Sequence, residues 1–497
     1  MTPPRDVLAQ TIRGAAWVVA WRLGMRALGL FSTLILVRLL TPSDFGILAL
    51  AASFAQTIDG LMILGTEEAV IRQTAPDRSV YDTAWTMNVI RGVTVAAIVL
   101  ASAVPVAAFF GDQRLIAVML VMALPPLFDG ASNIGAVDFR RQMRFEKEFA
   151  IMVVPKFFGI TATLTAAFLH PSYTALLYGI VTNQFLRSAM TYVMHPFRPR
   201  FSLRAWRVLI NYSLWTWLFS LGVMLRTRVD TLFLGRLSDT ARVGIYTVGA
   251  EVAAIPTSEL VEPLCRASFA GFSAAHREGH SVTETFLRLI GVAVLVTLPA
   301  GVGLSLVAAP LVRVALGPEW DAAVPVVRLL GLAGVMMVFG QISLNLLSAQ
   351  SLLGRLTAVL FAGTALRVVL LLALIPPLGV TGAAWASAAA TVVEQGATLL
   401  LALRKLAVGT GAFVAQVARP VVAAAVMAAG LWWVGERFAG AEVHWLLAGQ
   451  VAVGAGVYAA VLFAVWAMAG KPDGPERMIF GMAKRGGAVL VRAMARG

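Results

Sequence analysis

The stretch Val37–Gly46, VRLLTPSDFG, closes the first long apolar run of the chain and opens the second. An ungapped shift of 198 residues brings a similar stretch back. In that register Leu34, Leu36, Arg38 and Leu39 meet Leu232, Leu234, Arg236 and Leu237, Gly46-Ile47 meets Gly244-Ile245, and Trp17 meets Trp215. Leucine and glycine are abundant here, but matched Trp, Arg-Leu and Gly-Ile in one register predict an internal repeat.

The composition places the chain in a lipid bilayer. Of its 497 residues 59% are hydrophobic and 13% are charged, and the mean hydropathy is +0.81. A soluble fold could not bury so much apolar surface. Spans of about 20 residues begin near Ala15, Phe45, Asn88, Leu115, Phe149, Tyr173, Leu209, Val243, Phe286, Ala323, Leu356, Gly379, Phe413 and Trp445. They lack the alternation of a membrane barrel, so an all-α polytopic membrane protein with about 14 transmembrane helices is expected.

The repeat offset divides these helices into lobes. A shift across six helices returns the chain to the same side of the membrane, which predicts parallel repeats with a cleft between two lobes. The expected divisions are an N-lobe at 1–197 with helices 1–6, a C-lobe at 198–408 with helices 7–12, and two extra helices at 409–470. The basic tail, 471–497, fits either an amphipathic helix on anionic headgroups or a solvated segment.

Basic residues set the expected orientation. The net charge of +14 could suggest nucleic acid, but the charges sort by loop with a roughly fourfold excess on one side. That side carries Arg140, Arg141, Arg198 and Arg200, whereas the other carries Arg38, Arg114 and Arg236. The positive-inside rule therefore predicts a multi-pass protein of the bacterial inner membrane with both termini cytoplasmic, in contact with membrane lipids and not with nucleic acid.

Arginines inside apolar spans indicate an anionic substrate. Arg22 and Arg26 lie one turn apart in the first predicted helix, and the seventh helix carries Arg226 and Arg228. Asp230 lies one turn from Arg226, so it either pairs with that arginine or takes part in a site. Arginine offers a fixed fork of donors to phosphate oxygens, and several such cations would suit a diphosphate.

Other charges fall within or near apolar spans. The further substrate-binding candidates are Lys156 and Arg367. The acids are candidates for ion coupling or for structural pairing: Asp59, Asp129, Asp230, Glu251 and Glu394.

The sequence carries no pattern of an enzyme. It has no GxxxxGK[ST] phosphate loop, no HExxH, no GxSxG and no Cys-His metal spacing, and Cys265 is the single cysteine. We therefore expect neither catalysis, nor a metal, nor a cofactor.

The stretch Val37–Gly46 resembles the RLLTPxDFG signature of Wzx-type polysaccharide flippases, of the multidrug/oligosaccharidyl-lipid/polysaccharide exporter superfamily. The likeness extends to 65–73 (GTEEAVIRQ), 228–235 (RVDTLFLG) with 244–246 (GIY), 316–320 (LGPEW) and 379–384 (GVTGAA). It implies 14 helices and a cationic central cavity with alternating access, to which Arg22, Arg26, Arg226 and Arg228 would contribute.

The resemblance implies a function as well. The expected activity is translocation of undecaprenyl-diphosphate-linked oligosaccharide to the periplasmic leaflet for O-antigen, capsule or exopolysaccharide synthesis, with a polymerase and a chain-length regulator as partners. The alternatives are a cation-coupled drug exporter or a peptidoglycan-precursor flippase of the same superfamily. A membrane glycan polymerase or ligase is disfavoured because the predicted external loops are too short for a catalytic domain.

Overall fold

A computed structural model describes residues 24, 28–29, 31–62, 65–73, 76–142, 144–209, 214–256, 272, 281–350, 352–438, 440–470 and 476. Within these ranges the chain is helical and has no strand, which confirms the all-α fold class. The chain divides into two compact units, Met1–Thr247 and Val248–Gly497. The first predicted span before residue 24, together with Arg22 and Arg26, lies outside the described residues, as does the tail apart from Glu476.

The first unit contains the shorter and more irregular helices. They are α1 (31–39), α2 (Pro42–Leu61), α3 (Thr66–Arg72), α4 (Arg78–Phe110), α5 (Arg114–Met122), α6 (Leu124–Gly130), a 3-10 turn (Ile134–Ala136), α7 (Val137–Arg141), α8 (Phe145–Leu169), α9 (Tyr173–Met194), α10 (Trp206–Leu209) and α11 (Leu214–Leu237). Helix α12 (240–256) begins in this unit, and within the unit α11 packs against α2.

The second unit is built from long helices. They are α13 (Val282–Leu306), α14 (Ala308–Ala315), a 3-10 turn (Pro318–Ala323), α15 (Val324–Ala349), α16 (Leu353–Lys405), α17 (Thr410–Arg437) and α18 (Val443–Met468). A hydrophobic cluster around Met427, Leu431 and Leu462 joins α13, α17 and α18. The Tyr458 hydroxyl adds a hydrogen bond of 2.7 Å to the Leu295 carbonyl.

The candidate membrane spans are consistent with the hydropathy pattern, but the count of about 14 stays a prediction. Seven helices in the described residues are long and apolar enough to cross a bilayer, or eight if the bent pair Arg114–Gly130 and Ile134–Arg141 forms one span. One of the seven, α16, contains two predicted spans, because Gly379 (φ 56°, ψ −128°) breaks the helix there. The chain folds back at this glycine, and Gly382 then packs against the Leu374 carbonyl. A Cβ would be strained at Gly379 because its φ is positive.

The VRLLTPSDFG stretch forms the start of α2. Thr41 is the N-cap: its hydroxyl accepts from the Asp44 amide, and the Asp44 carboxylate accepts from the Thr41 amide at 3.0 Å. This capping box satisfies backbone donors that a helix start leaves unpaired, and Pro42 suits the first helical turn. The same carboxylate accepts from the Tyr173 amide at 3.0 Å, so it also holds the start of α9.

Two glycines of the repeat lie against each other where α2 crosses α12. A Cβ added to Gly46 would lie 2.9 Å from the Gly244 nitrogen, and one added to Gly244 would lie 2.9 Å from the Gly46 nitrogen. The same atoms would overlap the carbonyl oxygens of Thr240 and Pro42 respectively. Pro42 and Thr240 are separated by the same 198 residues as the two glycines. The contact is therefore reciprocal, as around a two-fold axis, in the register of the predicted repeat.

We expect Gly46→Ala and Gly244→Ala each to destabilise the protein by about 1–3 kcal/mol, because the new methyl group overlaps backbone that cannot rotate away. Thermal unfolding of the purified protein in detergent measures the effect. Gly456→Ala in α18 is the matched control, since nothing lies within 4 Å of a Cβ there, and it should be neutral or slightly stabilising. Equal melting temperatures for all three variants would contradict close packing at the crossing.

Candidate functional site

Arg228 of α11 faces α2. Its guanidinium Nη2 donates to the side-chain oxygen of Gln56, and one turn earlier Met224 packs against Gly60 of α2. Arg228 is half-buried, and no carboxylate lies within 4.0 Å of it among the described residues. A guanidinium held by a neutral amide keeps its full charge, so it can attract an anion. Arg226, two residues earlier on α11, is also half-buried.

Asp230 lies deeper on α11. Its side chain is buried, and Oδ2 accepts a hydrogen bond of 2.8 Å from the hydroxyl of Tyr246 on α12. Pairing between Asp230 and Arg226 stays a prediction. Glu251, further along α12, is exposed.

An ion triad centred on a mostly buried arginine links three helices of the first unit. Arg91 of α4 contacts Asp59 of α2 and Asp129 of α6, each at 2.6 Å, and its side chain is only 12% exposed. Gln184 of α9 donates to Asp129 at 3.3 Å. A guanidinium shared by two carboxylates satisfies charges that would be costly alone in an apolar span. This geometry favours structural pairing for both acids.

Sequence reasoning missed Arg91. It lies three residues after Asn88, where the third apolar run is predicted to begin, so it falls at the edge of a predicted span. The available signal was one arginine at the edge of an apolar run, with an unpaired acid in each neighbouring run. Which helices would meet could not be inferred from that signal.

A polar cavity of about 230 Å³ lies beside the triad in the first unit. The stretch 65–68, from the GTEEAVIRQ motif, forms one wall, and Arg187 of α9 forms part of another. Arg140 bridges two further lining acids, at 3.1 Å to Glu67 and 2.6 Å to Glu148. Arg187 was also missed; it is half-buried and makes no hydrogen bond or ion pair with the described residues. The cavity therefore combines acids with one cation that has no counter-ion among the described residues.

Lys156 does not join these groups. It is half-buried on α8 and does not line the cavity.

Arg367 and Glu394 lie in the second unit, on the two arms of α16. Both are buried, and Arg367 donates to the Thr391 hydroxyl at 2.8 Å. The Glu394 carboxylate accepts from Gln395 at 2.9 Å and packs against Gly363, where a Cβ would lie 2.8 Å from it. The structure thus places these two predicted residues in one hairpin and the Asp59–Arg91–Asp129 triad in the other unit.

Polar side chains surround the Gly46–Gly244 crossing at the start of α2. The hydroxyls of Ser43 and Thr240 lie 3.2 Å apart, and Arg114 donates to both at 2.9 and 3.4 Å. Hydrogen bonds from Arg114 hold the pKa of the Asp112 carboxyl below its usual range. These contacts tie α2 to the first turns of α12 through small polar groups.

Comparisons with known proteins agree with this architecture. Residues 35–325 match the family model described as polysaccharide biosynthesis protein. The lipopolysaccharide biosynthesis protein WzxC of Escherichia coli (strain K12) is 25% identical over 355 residues, which are 69% of this chain and 70% of that protein. The succinoglycan biosynthesis transport protein ExoT of Rhizobium meliloti (strain 1021) is 23% identical over 67% of this chain and 68% of its own.

One solved structure has the same fold over nearly its full length. The lipid II flippase MurJ in its inward closed conformation superimposes with a TM-score of 0.71 at 11% identity, covering 90% of this chain and 99% of that one.

We expect Arg91→Gln to destabilise the protein by about 1.5–3 kcal/mol, because two half-buried carboxylates lose a charged hydrogen-bond donor. Adding Asp59→Asn should recover part of the loss, since one uncompensated charge is then removed. Arg288→Gln is the control, because Arg288 pairs with Glu284 on an exposed face, where an ion pair contributes little. Thermal unfolding in detergent measures all three, and an unchanged melt for Arg91→Gln would show that the triad is not structural.

Proposed function

Because the chain belongs to the polysaccharide biosynthesis protein family, we propose that it is a flippase for undecaprenyl-diphosphate-linked oligosaccharides. It moves these units from the cytoplasmic to the periplasmic leaflet without chemical change, for O-antigen, capsule or exopolysaccharide synthesis. The multi-pass all-α fold and the biosynthetic roles named for WzxC and ExoT support this. Arg228 is the observation that carries it, since its cation lies among apolar helices with a neutral partner.

The proposed substrate contact is made by the diphosphate. Phosphate oxygens that displace the Gln56 amide add charge–charge attraction and can accept two parallel hydrogen bonds from the Arg228 guanidinium. Arg226, Lys156 and Arg367 are the further candidates on the described part of the chain, with Arg22 and Arg26 in the first helix. The lipid tail stays in the bilayer while the sugar crosses.

Release on the far side requires one end of the protein to open. We place the Gly46–Gly244 crossing at the periplasmic end, because the loops with few arginines, including Arg38 and Arg114, lie there by the positive-inside rule. The hydrogen bonds between Ser43, Thr240 and Arg114 each contribute about 0.5–1.5 kcal/mol net. Free-energy contributions of this size suit an equilibrium between two conformations that a bound substrate can shift.

Both termini are cytoplasmic in the inner membrane, and the flipped units pass to a polysaccharide polymerase and a chain-length regulator. We assign Asp59 and Asp129 to structural pairing with Arg91. A drug exporter is the weaker candidate because a cationic site repels cationic drugs. A peptidoglycan-precursor flippase would differ from the proposed flippase in the glycan that it accepts.

We expect Arg228→Ala to slow flipping at least about tenfold, because a loss of about 1.5–3 kcal/mol follows from removing a charged hydrogen-bond donor. Arg228→Lys should retain part of the activity, since the charge remains without the fork of donors. The assay is accessibility of undecaprenyl-diphosphate-linked oligosaccharide in proteoliposomes, at equal protein density.

Arg236→Ala is the control for that series, because Arg236 is an exposed arginine near the end of the same helix. In cells, Arg22→Ala and Arg26→Ala should abolish complementation of a flippase-null strain at normal membrane abundance. Full activity of the Ala variants at residues 22, 26 and 228 would refute the cationic site.

A reversible cross-link tests the opening of the periplasmic end. In a Cys265→Ala background, Ser43→Cys with Thr240→Cys replaces two hydroxyls 3.2 Å apart, which is within disulfide reach. Oxidation should stop flipping and reduction should restore it, whereas each single-cysteine variant should be insensitive to oxidant. Unimpaired flipping by the fully cross-linked protein would rule out separation of α2 from α12.

A further inference from the structure

The segment that joins the two repeats is fixed along α4. We call residues 195–207 the connector; it runs from the end of α9 into α10. Three of its amides donate to side chains of α4: Arg200 to Asp82 at 2.8 Å, Ser202 to Thr86 at 3.0 Å and Ala205 to Thr83 at 3.1 Å. The backbone of the connector is therefore held by a polar patch within the first nine residues of α4.

Contacts before Arg200 hold the connector as well. Asn133 donates to the Phe197 carbonyl at 2.8 Å, and Arg78 donates to the Arg198 carbonyl at 3.2 Å. The ring of Phe197 packs 5.3 Å from the ring of Tyr81. On the outer side the ring of Phe201 lies 4.8 Å from the ring of Trp85 on α4, yet most of the Phe201 side chain stays exposed.

That outer side alternates cations with large apolar groups. Phe201, Leu203 and Trp206 are 74%, 49% and 45% exposed. The exposed cations between and beside them are Arg198, Arg200, Arg204 and Arg207. Arg207 lies over the Trp206 ring at 5.5 Å from its centroid. Three large apolar side chains within six residues would be costly to leave in water.

The length of α4 places this surface at the membrane boundary. Its 33 residues span about 50 Å, whereas the hydrocarbon core is about 30 Å thick. The apolar stretch of α4 follows Gly92, so the turns that carry Asp82, Thr83 and Thr86 project past the hydrocarbon. The connector bound to these turns lies at headgroup depth.

We propose that the outer side of the connector binds the anionic phospholipids of the leaflet on its own side of the membrane. The arginines meet headgroup phosphates while Phe201, Leu203 and Trp206 enter the interface, which is where aromatic rings and snorkelling cations are favourable. Two acids contact the connector, and both are paired with arginines outside it. Asp82 accepts from the Arg200 amide and lies 3.5 Å from Arg78, while Asp138 lies 3.7 Å from His195 and 2.9 Å from Arg141. A net positive surface thus faces the bilayer, and the segment between the repeats is anchored there.

Spin-label depth in nanodiscs tests this without any transport measurement. Leu203→Cys in a Cys265→Ala background carries a nitroxide, and its collisions with oxygen and with a water-soluble nickel chelate are compared. We expect the label to collide more often with oxygen than with the nickel chelate. Exclusion of the nickel chelate should increase when phosphatidylglycerol is added to phosphatidylcholine. Nickel accessibility equal to that of free label in buffer, with either lipid, overturns the proposal.

A charge-removal series tests the electrostatic part. Gln at positions 198, 200, 204 and 207 should abolish the dependence of nickel exclusion on phosphatidylglycerol. The matched control replaces four other exposed arginines, Arg236, Arg242, Arg313 and Arg437, by Gln and should retain the full dependence. If both variants retain the dependence on phosphatidylglycerol, anionic headgroups are not the partner. Should the variant with Gln at positions 198, 200, 204 and 207 fail to fold, the comparison of the two lipids with the wild-type arginines in place tests the proposal.

Discussion

The close approach of α2 and α12 at Gly46 and Gly244 is the contact on which the first unit depends. Each glycine lies where a Cβ would overlap a carbonyl oxygen of the other helix, so only bare backbone fits. Because the four residues involved are related by the repeat offset, each helix offers the other the same surface. Small residues that let two backbones approach are a common device of membrane helices, where apolar burial alone gives little preference between contacts.

The capping box makes that contact possible. Thr41 and Asp44 fix where α2 begins, so Pro42 presents its carbonyl to Gly244 and Gly46 follows one turn later. Asp44 has a second role, because its other oxygen accepts the Tyr173 amide at the start of α9. A stretch that resembles a family signature thus has a local physical meaning: it starts one helix, positions a second and permits the crossing of a third.

Hydropathy and the repeat predicted the fold well, but they did not predict the polar contacts. The apolar runs located the helices, and even Gly379 was placed at the beginning of a span, where the structure turns back. Arg91 and Arg187 were missed because hydropathy predicts whether a segment lies in lipid or in water. It does not predict which faces of the helices meet. Asp59 and Asp129 lie in different helices, and only packing shows that one guanidinium serves both. The repeat offset predicts a boundary at 197/198, inside the connector, and the sequence pattern does not predict the bonds of the connector to α4.

The arginines of the first unit that bind other side chains fall into two kinds, and this separation bears on transport. Arg91 and Arg140 each contact two carboxylates, so an anion that displaced one carboxylate would leave that acid uncompensated. Arg228 contacts a neutral amide, which leaves no uncompensated charge behind when it is displaced. An exchangeable anion is therefore expected to bind more favourably at Arg228 than at the paired arginines, as the proposed substrate contact requires. Fixed pairs suit the scaffold of a lobe, whereas a cation with a neutral partner suits a substrate that must bind and leave in every cycle.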